Sequence, residues 1–232
     1  ITQNSFAHNP NPLSLLLNAK KLMHDNSSLI IQTSQADMCK NYEFDTIYHE
    51  HINFFNIKSM MALLKRANLV LDNVIKDPIH GSSYIFVIKF NSLQKNLKNK
   101  VNAENFLSYK FYRHWGQTCK KRIKNSQTKF KKITKNSIVI GYGAAAKANT
   151  FLNYSNIKLE VIIDDNKLKQ NKFCPGSKIP IKSSNFLKNY KQNIYVVPLA
   201  WNFFKEIQNK VKIIRKKNKD KFIIFYPDFR II

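Results

Sequence analysis

Hydrophobic residues in the first part of the chain recur at two spacings, and these predict an order of helices and strands. Apolar residues three or four positions apart predict helices over residues 13–24 and 58–69. Short apolar runs predict strands over residues 27–34, 69–77 and 82–90. The predicted order is therefore helix, strand, helix, strand, strand.

Residues 92–135 follow a different pattern, which is polar and rich in lysine. Aromatic residues recur in this stretch at intervals of three, namely Phe106, Tyr109, Tyr112 and Trp115. Because a spacing of three keeps side chains close together on a helix, the pattern indicates one helical face. We predict a helical connector whose aromatic residues form its packing face.

From residue 136 onward, predicted strands and helices alternate. Residues 136–166 contain an apolar strand, a glycine turn, a helix and a second strand that ends in aspartates. The later predicted elements are a helix at 183–191, a strand at 193–201, a helix at 202–217 and a strand at 221–227. Such alternation is typical of an α/β protein with a parallel, doubly wound sheet.

The composition gives a formal net charge of +25, from 39 basic and 14 acidic residues. A basic surface can bind nucleic acid, but here lysine greatly outnumbers arginine and the basic residues are spread along the whole chain. That distribution favours a solvated lysine surface, so no nucleic-acid partner is predicted. A nucleic-acid-binding protein is the third functional class considered, and its affinity would fall steeply with salt.

Three further features bear on the location of the protein. No apolar run approaches the roughly 18 residues that a membrane span needs, so no membrane partner is predicted. The cysteines, Cys39, Cys119 and Cys174, are three in number and form no CxxC pair, which argues against a disulfide framework or a metal site in this chain. A cytoplasmic location fits best. Because the chain begins at Ile1 without a signal peptide, we expect an N-terminal truncation.

A glycine turn lies between the first strand and the first helix of the alternating region. Gly141, Gly143 and Ala146 form G-x-G-x-x-A, and Asp164 stands where an acid could bind a ribose. This pattern is close to the dinucleotide fingerprint, in which the glycines allow the backbone to approach a pyrophosphate. It makes an NAD(P)-dependent oxidoreductase the alternative function. Lys147, in the first turn of the helix, indicates an anionic ligand.

The stretch "DTIYHEHINFF" at residues 45–55 concentrates titratable side chains in a chain with six histidines. If the backbone is extended there, Tyr48 and Glu50 share one side while His49 and His51 share the other. The residues alone leave three interpretations open. They are a metal site that would recruit His80, histidines with a structural role in a loop, and general acid–base chemistry.

Six stretches occur in the same order as in the S-adenosylmethionine-dependent sugar C-methyltransferases, and the chain resembles that family from about residue 4 to its end. They are "NSFAH", "EFDTIYHEH", "PIHGSS", "GYGAAAKANTFLNY", "PGSKIPI" and "LAWNFFKEI". The resemblance implies three regions, which are the second half of a class I methyltransferase domain at 1–91, a helical connector at 92–135, and a Rossmann-like C-terminal domain at 136–232. It also implies that a zinc module and most of the S-adenosylmethionine site precede this chain.

Members of that family methylate a carbon of a nucleotide-linked deoxy-keto sugar, so the resemblance implies a keto sugar substrate, with dTDP as the nucleotide. It implies that His51 is the base, that Glu50 orients it or the sugar, and that Tyr48 and His8 bind the ketone oxygen. His49 is expected to be structural. No metal is expected in this chain.

The resemblance also implies a set of residues that bind substrate. They are Asn4, His80, Ser82, Tyr142, Lys147, Asn149, Thr150, Trp201 and Asn202. Ser82 stands where the family pattern has a second glycine after "PIH", which puts the identity of the sugar in question.

Overall fold

The computed structural model describes residues 1–34, 38–78, 82–90, 108–216 and 218–232. The chain forms two compact units. The N-terminal unit consists of Ile1–Lys40 and His49–Tyr112, and the C-terminal unit consists of Asn41–Tyr48 and Arg113–Ile232. The short segment 41–48 thus groups with the C-terminal unit, although chain order predicts it in the first region.

The N-terminal unit contains a four-stranded sheet in the order β1-β2-β4-β3. Its strands are β1 (Thr2–Gln3), β2 (Leu29–Thr33), β3 (Leu69–Asp77) and β4 (Ser83–Phe90). β1 is parallel to β2, whereas β4 is antiparallel to both β2 and β3. β3 and β4 therefore form an antiparallel edge of this sheet. The short β1 was not predicted.

Two helices cover this sheet, and side chains fix where both begin. Helix α1 (Pro12–Lys21) has Asn11 as its N-cap and proline at its first position, where no N–H is needed. Helix α2 (Ile57–Arg66) starts with a capping box between Asn56 and Ser59. Their apolar faces join a core that includes Phe6, Leu16, Ile31, Met60, Leu64, Phe86 and Ile88.

Helix α3 (Tyr109–Ile133) lies within the stretch predicted to be helical, while residues 91–107, including Phe106, lie outside the described ranges. The predicted aromatic packing face is wrong. Tyr109 and Tyr112 are 81% and 40% exposed, and only Trp115 is buried. The buried stripe begins there and continues toward the C-terminal end of the helix, through Cys119, Ile123, Ser126 and Phe130.

The C-terminal unit contains a six-stranded sheet in the order β10-β9-β8-β5-β6-β7. Its strands are β5 (Val139–Tyr142), β6 (Ile162–Ile163), β7 (Ile181–Lys182), β8 (Tyr195–Pro198), β9 (Lys221–Ile224) and β10 (Arg230–Ile231). All pairings are parallel except that of β10 with β9. This order is the doubly wound one, and the direction of winding reverses between β5 and β8.

Alternate residues of the strands supply two cores, one on each face of this sheet. Val139 belongs to one core and Ile140 to the other. The helices of the unit, besides its part of α3, are α4 (Ala146–Ser155) and α5 (Phe204–Ile214). The helix predicted at 183–191 is a 3-10 helix at Ser184–Asn189. Strands β7 and β10 were not predicted, whereas β6, which also has two residues, was predicted because it lies in an apolar run that ends at Asp164.

Gly143 is fixed by geometry, and Gly143→Ala is expected to lower the free energy of unfolding by about 2–4 kcal/mol. Its φ is +95°, and an added Cβ would lie 2.8 Å from the Cβ of Ala200. Gly116→Ala is the matched control, because Gly116 lies in α3 with nothing within 4 Å of a new Cβ. That control is expected to add about 0.5–1 kcal/mol. Urea denaturation measures both, and equal effects would contradict the assignment.

Within the described ranges, no helix combines the length and apolarity that crossing a membrane requires.

Candidate functional site

A short 3-10 helix and a loop of the N-terminal unit place two histidines side by side. The 3-10 helix Phe6–His8 follows β1, and Asn53 holds the loop against it. The Asn53 N–H donates to Ala7 O at 3.0 Å. The Asn53 side-chain amide donates to Asn9 O at 2.6 Å. These bonds fix residues around His51 next to residues around His8.

The ring of His8 has a defined hydrogen bond. Its Nδ1 lies 2.6 Å from the backbone oxygen of Glu50. A carbonyl oxygen can only accept, so His8 Nδ1 must carry the proton, and Nε2 of the neutral ring has a free lone pair. The ring of His51 lies beside it, with centroids 4.9 Å apart. The structure therefore brings together His8, His51 and the backbone of Glu50, all of them residues predicted for catalysis.

The predicted extended conformation of "YHEH" is wrong. His49 and Glu50 form a turn, in which the Ile52 N–H donates to Glu50 O at 3.1 Å. Alternation between two sides therefore does not apply. The Glu50 carboxylate lies 3.9 Å from His49 Nε2, and these side chains are 59% and 88% exposed. The expected structural role of His49 has no buried packing to support it.

Two buried oxygens without hydrogen-bond partners lie at the carboxyl ends of β1 and β2. Asn4 Oδ1 and Thr33 Oγ1 have no partner among the described residues. Asn4 has a φ of 50° and its N–H donates to Gln32 O at 3.1 Å, so it directly follows the parallel pairing of the two strands. An unpaired buried oxygen is costly unless a ligand or water satisfies it. Asn4, which the sequence analysis predicts to bind substrate, therefore lies beside a second residue with an unpaired buried oxygen, Thr33. Ser82 is buried, directly before β4.

In the C-terminal unit, two residues predicted to bind substrate contact a carboxylate of the protein itself. Trp201 Nε1 donates to Asp45 Oδ2 at 3.0 Å. Lys147 Nζ lies 4.0 Å from the same oxygen and 4.3 Å from the centroid of the Trp201 ring. The Asp45 side chain is 1% exposed. We call this arrangement of Asp45, Lys147 and Trp201 the Asp45 clamp.

Burial raises the pKa of Asp45, while the charge of Lys147 and the hydrogen bond from Trp201 partly oppose that rise. The other oxygen, Oδ1, is buried without a hydrogen-bond partner of normal geometry among the described residues. Nearby, burial and the charges of Asp45 and Glu43 raise the pKa of Tyr226 well above its ordinary value. A buried carboxylate that faces both a cation and an indole N–H is a candidate for a functional role.

The remaining predicted residues of the C-terminal unit are distributed around the glycine turn. Tyr142 donates from its hydroxyl to Asp165 at 3.1 Å, and Lys210 donates to the same carboxylate at 2.7 Å. Burial and the charge of Asp165 raise the pKa of Tyr142. Asn149 Oδ1 is buried without a partner among the described residues, so it could satisfy a ligand. Thr150, Asn202 and Tyr48 are partly buried.

The glycine and the acid of the dinucleotide fingerprint, Gly141 and Asp164, both contact other groups of the protein. An added Cβ on Gly141 would lie 2.7 Å from the Leu199 side chain, so packing against the loop after β8 requires this glycine. Asp164 accepts from the Ala144 N–H at 2.7 Å and from the Asn166 N–H at 2.8 Å. Asp164, which was predicted to bind a ribose, therefore stabilises the glycine turn by hydrogen bonds.

His80 lies outside the described residues, so the structure does not place it. In the ranges that are described, no group of three or more histidine, cysteine, aspartate or glutamate side chains could hold a metal ion.

Comparison with known proteins identifies the family. A family model described as the C-methyltransferase C-terminal domain matches residues 78–227, more than half of the chain. The chain belongs to this C-methyltransferase family. It is also 26% identical, over 239 aligned positions, to the C-methyltransferase NovU of Streptomyces niveus. That alignment covers 98% of this chain but 56% of NovU, so the chain spans about half the length of this relative.

The sequence analysis of this C-methyltransferase family member did not identify Asp45 as a site residue, although Asp45 contacts both Lys147 and Trp201. Asp45 was noted only as the first residue of the histidine-rich stretch. A usable signal was present, because the chain has only 14 acidic residues, and two of them, Glu43 and Asp45, stand together before Tyr48. Both are buried, which in so basic a protein indicates specific partners. The partners themselves are far away in sequence and could not be predicted.

Proposed function

We propose that this chain is the C-terminal part of an S-adenosylmethionine-dependent C-methyltransferase, which acts on the carbon next to the ketone of a dTDP-linked deoxy-keto sugar. Family membership supports the class of reaction. The observation that carries the proposal is the pair of histidine rings, 4.9 Å apart, with His8 oriented by a backbone carbonyl. Such a pair supplies both groups that enolisation needs, a base and a donor to the oxygen.

In the proposed reaction, His51 removes the proton from the carbon next to the ketone. The electrons of that C–H bond form the enolate, whose carbon then makes the new bond to the methyl group. S-adenosylmethionine, when bound, would supply this methyl group as a sulfonium electrophile, and the electrons of its broken S–CH3 bond would stay on sulfur, which leaves as the neutral thioether S-adenosylhomocysteine. The ketone re-forms as the enolate carbon is methylated, and the proton remains on His51 until solvent takes it up.

His8 would stabilise the negative oxygen of the enolate. Its Nδ1 proton is already donated to Glu50 O, so it can donate to the substrate only from a protonated Nε2. A cationic His8 would place a positive charge where negative charge develops.

The other assignments stay predictions. Tyr48 and the Glu50 carboxylate would contact the ketone or the base. Asn4 and the neighbouring Thr33, with their unpaired buried oxygens, suit the hydroxyl groups of a sugar. In the C-terminal unit, Asn149 and Thr150 would bind the diphosphate near the start of α4, where backbone N–H groups favour anions. The oxidoreductase remains the alternative, and one experiment separates the two functions.

Calorimetric titration of the chain with dTDP and with NADH is that experiment. We expect dTDP to bind and NADH to release no heat. Thr150→Val, which loses a hydroxyl near the start of α4, is expected to weaken dTDP binding by about tenfold. Thr128→Val is the control, because its hydroxyl is bonded within α3 to Lys124 O at 3.1 Å. Tight NADH binding without dTDP binding would reverse the choice of function.

A further inference from the structure

Asp45 is a buried carboxylate with no part in the proton transfer proposed for His51. Its position in the fold is informative. Lys147 lies in the first turn of α4, which follows β5, and Trp201 follows β8. β5 and β8 are neighbours at the point where the winding of the sheet reverses. In doubly wound sheets that point forms the crevice that receives ligands. Here Asp45, from a segment of the same chain, contacts residues on both sides of it.

Two interactions converge on this carboxylate, and a third joins the two residues that make them. The Trp201 indole donates to Oδ2 at 3.0 Å, Lys147 lies 4.0 Å from that oxygen, and the Lys147 ammonium lies 4.3 Å from the Trp201 ring centroid. The 3-10 helix Phe44–Thr46 that carries Asp45 is only three residues long and forms no strand pairing. So short a helix has little stability of its own, and contacts with the rest of the unit must hold it.

We propose that Asp45 is a positioning residue, which fixes the segment before Tyr48 to the C-terminal unit through the Asp45 clamp. Tyr48 is three residues after Asp45 and belongs to the same segment of the C-terminal unit, Asn41–Tyr48, so the clamp sets where Tyr48 lies within that unit. Misplacement of reacting groups by about 1 Å can cost on the order of 100-fold in rate. The consequence for catalysis rests on the proposed function, whereas the placement of the segment does not.

The clamp also explains why the chain has a glycine turn here, without a bound dinucleotide. Gly143 has its positive φ and tight contact with Ala200 because the chain after β5 must lie against the chain after β8. That approach sets Lys147 and Trp201 close enough to share one carboxylate oxygen. The crevice of this doubly wound unit thus holds a piece of the same polypeptide.

Asp45→Asn in the intact chain tests the proposal by nuclear magnetic resonance. The amide keeps an oxygen for Trp201 but loses the charge that Lys147 faces. The chain has two tryptophans, so two indole N–H signals are expected, and that of Trp201 should shift while that of Trp115 stays. The ring signals of Tyr48 should shift as well, and those of Tyr190, whose hydroxyl donates to Glu160, should not. Asp72→Asn is the matched control, because Asp72 pairs with Lys89 at 3.2 Å.

The kinetic readout is deuterium exchange at the carbon next to the ketone of the dTDP-linked sugar. Asp45→Asn is expected to lower the maximal exchange rate about 10–100-fold with the KM for the sugar changed less than twofold. Unchanged Tyr48 signals would overturn the proposal. If Asp45→Asn does not fold, Trp201→Phe, which loses only the indole N–H of the clamp, decides by the same Tyr48 signals. If the unmodified protein shows no exchange, the proposed function fails, while the Tyr48 signals still decide the role of Asp45.

Discussion

Replacement of His51 by alanine is expected to lower the rate of deuterium exchange at the reacting carbon by about 10²–10⁴-fold, the range by which a positioned base accelerates proton transfer. The exchange is measured in D₂O with the dTDP-linked keto sugar, with and without S-adenosylmethionine. Proton removal precedes methyl transfer, so the loss should be seen in both conditions. The sugar should bind about as tightly as before, because the base acts on the transition state.

His49→Ala is the matched control for this experiment. His49 is the same residue type in the same turn, but its side chain is 88% exposed. We expect its exchange rate to stay within about twofold of the unmodified protein. Undiminished exchange in His51→Ala would remove His51 as the base, and an equal loss in both variants would indicate damage to the turn.

Arg215→Met is expected to lower the free energy of unfolding by about 3–5 kcal/mol, the usual cost of removing one member of a buried ion pair. Arg215 follows α5 and is 4% exposed. Its guanidinium donates to the Asp220 carboxylate at 2.6 Å. It also donates to the backbone oxygens of Leu187, Tyr190 and Gln192 at 2.7–2.9 Å. Methionine fills similar space but leaves the buried Asp220 charge and these oxygens unpaired.

Urea denaturation followed by circular dichroism measures the effect. Lys212→Met is the control, since Lys212 lies on the same helix and is exposed. Its expected change is within about 0.5 kcal/mol. A cost below about 1 kcal/mol for Arg215→Met would show that the loop between the 3-10 helix Ser184–Asn189 and β8 is held by other contacts.

Much of the fold could be predicted because the spacing of hydrophobic residues indicates which face of a helix or strand is buried. Helix α2 and strands β3 and β4 lie where the pattern placed them, and so does the parallel order of the C-terminal sheet. The two-residue strands β1, β7 and β10 were not predicted, whereas β6, of the same length, lies in an apolar run that indicates it. The packing face of α3 was wrong because aromatic spacing alone does not say which residues meet a neighbour.

The candidate site shows the same division between local and distant information. The histidine-rich stretch was recognisable from composition, and the pairing of His8 with His51 agrees with the resemblance that grouped them. The backbone conformation of that stretch was not recognisable. A turn, with Glu50 O accepting from both Ile52 and His8, replaces the predicted extended strand. Glu50 therefore acts on His8 through its backbone, which no side-chain pattern reveals.

By itself, the sequence determined the order of helices and strands in the first part of the chain, the doubly wound sheet of the second part and the resemblance to C-methyltransferases, because residue type and spacing carry that information. Only the tertiary structure decided what Lys147 and Trp201 contact, because Asp45 lies 102 and 156 positions away from them. It also decided that Asp164 braces its own glycine turn. Hydrogen bonds and ion pairs act over a few ångströms in space, so the contacts of a buried carboxylate follow from the fold that surrounds it.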